Sequence, residues 1–107
     1  MNLKEVSLYA LPDILSTRTL EGTFVNSVRA LGVSGRKIKS PDQHVPLPDM
    51  RAAIAIVLNE RFIIHGEAKP KNIMDLMNRE RSSYYAMIKR GYLEEVKNYV
   101  RQIKKEI

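Results

Sequence analysis

The chain has 107 residues, a net charge of +6, no cysteine and two histidines. This length predicts one domain over residues 1–107. The lack of cysteine excludes a disulfide framework, a thiolate metal site and a cysteine nucleophile. With 44% hydrophobic and 28% charged residues, the composition is typical of a globular domain and not of a disordered chain. We expect neither a cofactor nor a bound metal.

The apolar runs are short, and the charge is unevenly distributed. The longest run, Ala52–Leu58, is far below the roughly 20 residues of a membrane-spanning helix. A soluble, cytoplasmic protein with no membrane partner is therefore expected. Residues 1–50 carry a net charge of +1, whereas residues 51–107 carry +5. A basic half predicts a polyanionic partner, although solvated surface charge would give the same surplus.

The first two predicted elements are helices. One is predicted over Leu3–Leu15, where Pro12 disturbs it. The next is predicted over Leu20–Leu31, because Thr19 is a typical N-cap and Gly32 a typical stop.

A long loop and a central helix are predicted next. Residues 33–48 contain Gly35 and three prolines, which predicts a loop. The third helix is predicted to begin at an Asp49 cap and to end near Gly66, and its apolar stripe indicates a buried spine. That stripe consists of Met50, Ala53, Ile54, Val57, Leu58 and, at its end, Ile64.

The following segment predicts a helix, a short turn and a second helix. Pro70 suits the first turn of a helix that continues to Met77. Asn78 tolerates the left-handed conformation of a sharp turn, and a further helix is predicted from near Glu80 to Gly91. This order is typical of a helix-turn-helix.

The last predicted helix covers Tyr92–Ile107 and completes an all-α, compact bundle of about five helices. Its apolar positions recur at helical spacing: Leu93, Val96, Val100, Ile103 and Ile107. We expect this stripe to pack on the core of the same chain. The alternative is that it holds a helical partner or forms a homodimer.

Catalytic motifs are not found in the sequence. It has no glycine-rich phosphate loop, no nucleophile elbow and no H-E-x-x-H. Glu94 and Glu95 are neighbours on an exposed helix surface, so their carboxylates do not converge. We predict that the chain is not an enzyme.

DNA recognition needs a helix with short polar and basic side chains in its first turn and an apolar opposite face. Arg81, Ser82 and Ser83 supply such a first turn, and Tyr84 and Ile88 can face the core. An ordinary two-helix corner with solvated charges fits the same pattern.

A family resemblance favours the DNA-binding interpretation. The residues Asn78–Tyr84 resemble the G-R-D-H-[ST]-T-V motif in the C-terminal DNA-binding domain (domain IV) of the replication initiator DnaA, a helix-turn-helix of the Trp-repressor-like type. The similarity continues upstream at Leu31–Ser34, Lys39-Ser40 and Arg51–Ala55. It covers about residues 20–92, which leaves 1–18 and 93–107 as flanking helices.

The resemblance implies roles for individual residues. Arg81, Ser82 and Ser83 align with residues that read bases in the major groove, and Arg51 aligns with an arginine near the DNA backbone. Gln43 stands near the place of an arginine that enters the minor groove. The resemblance, the helix dipoles and the basic charge together predict contacts with the DNA backbone. The residues expected to make them are Arg51, Lys69, Lys71, Arg79, Lys89 and Arg90. The candidate minor-groove loop comprises Arg36, Lys37, Lys39 and Gln43.

The sequence therefore predicts a protein that binds double-stranded DNA with sequence preference and has no ATPase activity. Replication control and transcriptional regulation both fit, in a bacterium or on a mobile element. The alternative is a protein–protein interaction module that uses the C-terminal helix and retains a vestigial helix-turn-helix.

Overall fold

The computed structural model describes residues 16–107, so the helix predicted over Leu3–Leu15 lies outside the described residues. Within residues 16–107 the chain is all-α, as predicted, with six α-helices and no strand. The helices are α1 (Leu20–Ala30), α2 (Gly35–Lys39), α3 (Leu47–Leu58), α4 (Pro70–Leu76), α5 (Ser83–Lys89) and α6 (Glu94–Glu106). A π-helical turn, Asn59–Ile63, follows α3, and a 3-10 turn, Arg90–Tyr92, connects α5 to α6.

Helix α1 begins and ends as its sequence predicts. The Thr19 hydroxyl accepts a hydrogen bond from the Gly22 N–H at 3.0 Å, which satisfies one of the free donors of the first turn. Gly32 has a φ of +67°, a conformation that a side chain would strain, and its N–H donates to the Arg29 carbonyl. Both end signals are therefore confirmed.

The loop predicted over residues 33–48 is wrong in two places. Residues Gly35–Lys39 form α2, where the Ser34 hydroxyl accepts from the Lys37 N–H at 3.1 Å. Helix α3 begins at Leu47 and not after an Asp49 cap. The prolines caused this error, because Pro46 and Pro48 flank the first helical residue, where a missing N–H is harmless.

Helix α3 is the spine of the fold, as predicted. Ala52, Ala53, Ile54 and Ala55 are completely buried, and the helix packs against α1, α5 and α6. A helix that is apolar on all sides is stable only in such an interior position. The π turn then changes the helical phase, so Ile64 is 66% exposed and does not extend the stripe.

Helix α6 closes the bundle with its apolar stripe turned inward. Val96 and Ile103 are completely buried, and the other stripe residues pack against the same core. Gln102 also donates a 2.9 Å hydrogen bond to the Ala30 carbonyl at the end of α1. Packing within one chain is therefore confirmed. In the part of the chain that the structure describes, no helix is both long and apolar enough to cross a membrane.

Candidate nucleic-acid interface

A tight left-handed turn connects α4 to α5. Asn78 has a φ of +55°, as its residue type predicts. The Arg79 N–H donates to the Met74 carbonyl at 2.9 Å and the Asn78 N–H to the Asp75 carbonyl at 3.2 Å. This pair of bonds is a Schellman motif, which satisfies two carbonyls at the end of α4 and reverses the chain.

Helix α5 begins later than the sequence predicts. Residues 80–82 form a turn, in which the Ser83 N–H donates to the Glu80 carbonyl, and the helix starts at Ser83. Arg81 and Ser82 therefore lie in the turn before the helix and not in its first turn. Both are exposed, whereas Ser83 is half-buried. Among the described residues, neither Arg81 nor Ser82 has a side-chain hydrogen bond or ion pair.

The opposite face of α5 is anchored in the core. Tyr84 is 3% exposed and its hydroxyl donates to the side-chain carbonyl oxygen of Asn59. Burial raises the pKa of the Tyr84 hydroxyl, and electrostatic repulsion from the neighbouring Tyr85 hydroxyl contributes to the same shift. Met87 is also buried, while Ile88 is half-buried. The predicted division of α5 into an apolar and a polar face is present.

The predicted backbone contacts fall into two groups. Lys69, Lys71 and Lys89 are exposed, and the structure shows no ion pair for them among the described residues. Arg79 and Arg90 are half-buried and already have partners within the fold. Arg79 donates to the Ser40 carbonyl, and Arg90 forms an ion pair with Asp49, each at 2.5 Å.

Arg51 requires a correction, because its side chain is only 1% exposed. Its guanidinium donates to the carbonyls of Ile38, Lys37 and Ser40 at 2.9, 3.0 and 2.9 Å. These carbonyls belong to the end of α2, where helical carbonyls lack partners of their own. The structure therefore gives Arg51 the role of a cap for α2, a role that the sequence did not predict.

The candidate minor-groove residues lie on α2 and directly after it. Arg36, Lys37, Lys39 and Gln43 are all exposed. Lys37 is 3.5 Å from Asp42, whose pKa falls to about 2 because its carboxylate accepts hydrogen bonds from His44. The bond from Arg79 to Ser40 places the end of α2 beside the turn that contains Arg81. The basic residues of α2 and the turn before α5 therefore lie on adjoining elements.

A feature that the sequence did not predict is a cleft of about 210 Å³ that lies between the loop after α2, the start of α3, and α5. We call it the arginine cleft. It is lined by Pro48 and Met87 and by six further residues: Arg51, Arg79, Arg90, Gln43, Ser83 and Ala86. Its three arginines come from distant parts of the sequence, so no local motif could have indicated it.

No protein-family profile matches the chain, and neither a curated protein nor a solved structure matches it significantly. The resemblance to the DnaA domain therefore rests on the residues that carry it, and the role of the unit formed by α4, the turn and α5 remains a prediction.

Proposed function

We propose that the protein binds double-stranded DNA through α4, the left-handed turn and α5, used as a helix-turn-helix. The observation that carries the proposal is that Arg81 and Ser82, in the turn directly before α5, are exposed and have no side-chain partner among residues 16–107, while Tyr84 anchors the opposite face of α5. A recognition element needs this combination, since its base-reading side chains must be free while its backbone is held rigidly.

The exposed side chains divide into two chemical roles. Arg81 has the fork of donors that pairs with a guanine edge in the major groove, and Ser82 can bond to several base edges. Lys69, Lys71 and Lys89 are suited to phosphate contacts, which supply affinity without sequence preference. Arg36 and Lys39 of α2 are exposed and have no ion pair among residues 16–107, so they are suited to extend the same surface to a minor-groove contact.

The resemblance to the DnaA domain supports this assignment. The departures from the family pattern limit what the resemblance implies about the DNA target and the minor-groove contact. Arg81 replaces histidine and Glu80 replaces aspartate, which favours a target different from that of the family. Gln43 replaces the minor-groove arginine, so α2 would have to supply that contact. We propose a cytoplasmic role in replication control or transcriptional regulation, exercised by binding and not by ATP hydrolysis.

An interaction module built on the C-terminal helix has less support. Its apolar stripe is already packed against the core, with Val96 and Ile103 completely buried. A partner helix would have to displace those contacts or bind another face of α6.

Fluorescence anisotropy with a mixed pool of labelled duplexes tests the proposal. We expect binding that weakens with salt. The logarithm of the association constant should fall linearly with the logarithm of the salt concentration, because phosphate contacts release counterions. Selection from random duplexes should then yield a preferred site. If no binding is detected at low salt, the proposal is wrong.

A further inference from the structure

The arginine cleft contains polar atoms that the protein does not satisfy. Arg51 Nη1 and Arg90 Nε are buried and have no hydrogen-bond partner among the described residues. Nearly all buried polar groups in proteins are hydrogen-bonded, so each exception needs an explanation. Both of these nitrogens belong to residues that line the same cleft.

The cleft also holds more positive than negative charge. Arg90 is neutralised by Asp49 at 2.5 Å. Within residues 16–107, Arg51 and Arg79 have no carboxylate within ion-pair distance and bond only to backbone carbonyls. Burial, followed by the nearby charge of Arg79, lowers the pKa of Arg51, while the more distant Asp42 opposes this shift. Asp42 is itself paired with Lys37 and His44.

The three guanidinium groups are held in fixed positions. Arg51 and Arg79 donate to the same oxygen, the Ser40 carbonyl, and therefore lie side by side. The ion pair with Asp49 holds Arg90 in place. Rigid planar forks of donors around a common space match the geometry of a phosphate or sulfate group.

We propose that the arginine cleft binds one small tetrahedral oxyanion of the phosphate or sulfate class. Arg51 Nη1 and Arg90 Nε are the buried donors, Arg79 adds charge, and Ser83 and Gln43 are neutral donors at the rim. The cleft volume of about 210 Å³ is sufficient for one such ion, since a single water molecule needs only about 10–15 Å³. This inference concerns a single ion and does not depend on DNA binding.

Two sources could supply such a group, a free ion or a phosphodiester of the DNA backbone. The depth of Arg51, at 1% exposure, favours the free ion. A backbone phosphate is the other outcome that the experiment separates.

The test uses Ala86→Glu, which adds a carboxylate at the rim without removing a structural arginine. Ala86 is exposed on α5 and lines the cleft, and glutamate is a good helix former. The control Lys105→Gln changes the net charge by the same amount at an exposed position of α6 that does not line the cleft.

Isothermal titration calorimetry with sodium phosphate at pH 7 measures binding, with sodium chloride keeping the ionic strength constant. We expect saturable binding for the wild type and for Lys105→Gln. Binding by Ala86→Glu should be at least about tenfold weaker, because the added carboxylate repels the anion at the rim of the cleft. Equal binding by Ala86→Glu, or no phosphate heat above that of chloride, would overturn the proposal.

A measurement on the wild type covers the case in which Ala86→Glu does not fold. The Nε–H resonance of Arg90 should shift in the NMR spectrum on addition of phosphate and stay in place on addition of chloride. An unchanged resonance contradicts the proposal.

A duplex titration of Ala86→Glu and Lys105→Gln then identifies the source of the anion. Equal duplex affinity supports a free ion, and affinity about tenfold weaker for Ala86→Glu supports a backbone phosphate. If the wild type binds phosphate but no duplex, the proposed DNA-binding function fails and the oxyanion site stands.

Discussion

Arg51 and Arg81 are the same side chain in opposite surroundings. Arg51 is buried under α2 and donates to three backbone carbonyls, whereas Arg81 is exposed and has no partner among the described residues. Both were predicted from the sequence to contact DNA. The difference teaches that a basic residue in a nucleic-acid-binding pattern can be bonded into the fold, and that the pattern alone does not show which residue is buried.

The largest expected effect is on stability, for replacement of the buried arginine. Arg51→Met should lower the free energy of unfolding by about 2–5 kcal/mol, because buried carbonyls at the end of α2 lose their donors. Urea denaturation measures the change. The matched variant Arg81→Met should stay within about 0.5 kcal/mol of the wild type, as is usual for exposed positions. Equal stability of the two variants would mean that the bonds of Arg51 to α2 do not stabilise the fold.

The complementary experiment examines DNA binding by the exposed arginine. Arg81→Ala should reduce the discrimination between a selected duplex and a scrambled one by about 1–3 kcal/mol, because a guanine contact is lost. Anisotropy titrations of both duplexes give this difference. Lys71→Ala is the control for a phosphate contact, and it should weaken both duplexes equally and reduce the salt slope by about 1. Undiminished discrimination in Arg81→Ala would remove Arg81 from the base contacts.

A third prediction concerns the anchor beneath the exposed arginine. Tyr84→Phe should cost about 1 kcal/mol of stability, because Asn59 loses a hydrogen-bond donor. Tyr85→Phe is the control, since Tyr85 is 59% exposed and should show almost no change. If the two variants behave alike, the hydroxyl of Tyr84 does not fix α5.

The raised pKa of Tyr84 makes this difference depend on pH. The unfolded tyrosine ionises near pH 10, before the folded one, so its stabilising contribution is complete below pH 10 and is lost as the pH rises through the folded pKa. The stability difference between the wild type and Tyr84→Phe should therefore shrink above pH 10. Urea denaturation across this range measures it.

An effect of similar size is expected in the turn that positions Arg81. Asn78→Ala should destabilise the protein by about 1 kcal/mol, because alanine tolerates a φ of +55° poorly. Asn78→Gly should be close to neutral, since glycine accepts this conformation. Thermal unfolding compares the two, and equal midpoints would show that the left-handed turn is not a constraint on α5.

Features that depend on one residue and its neighbours could be predicted from the sequence. The Thr19 cap, the Gly32 stop and the left-handed Asn78 follow from intrinsic preferences, and the structure contains all three. The burial of α3 follows from its apolar periodicity, which the interior position satisfies.

Features that depend on distant contacts could not be predicted. Helix α2 has only five residues, and Arg51, which caps it, lies 13 residues from Ile38. An arginine is ordinarily exposed, so no local pattern indicated its burial. The arginine cleft likewise requires Arg79 and Arg90 to reach partners 39 and 41 residues away along the chain.

The carbonyl oxygen of Ser40 accepts from both Arg51 and Arg79, and this shared acceptor connects α2, α3 and the turn before α5. A five-residue helix is not stable by itself in water, so α2 depends on the hydrogen bonds of that junction to stay folded. Opening the junction should release α2 and the turn as one cooperative unit. The amides of Ile38 and Arg79 should then share one opening free energy in native-state hydrogen exchange, so that the two candidate DNA-contacting elements become ordered or disordered together.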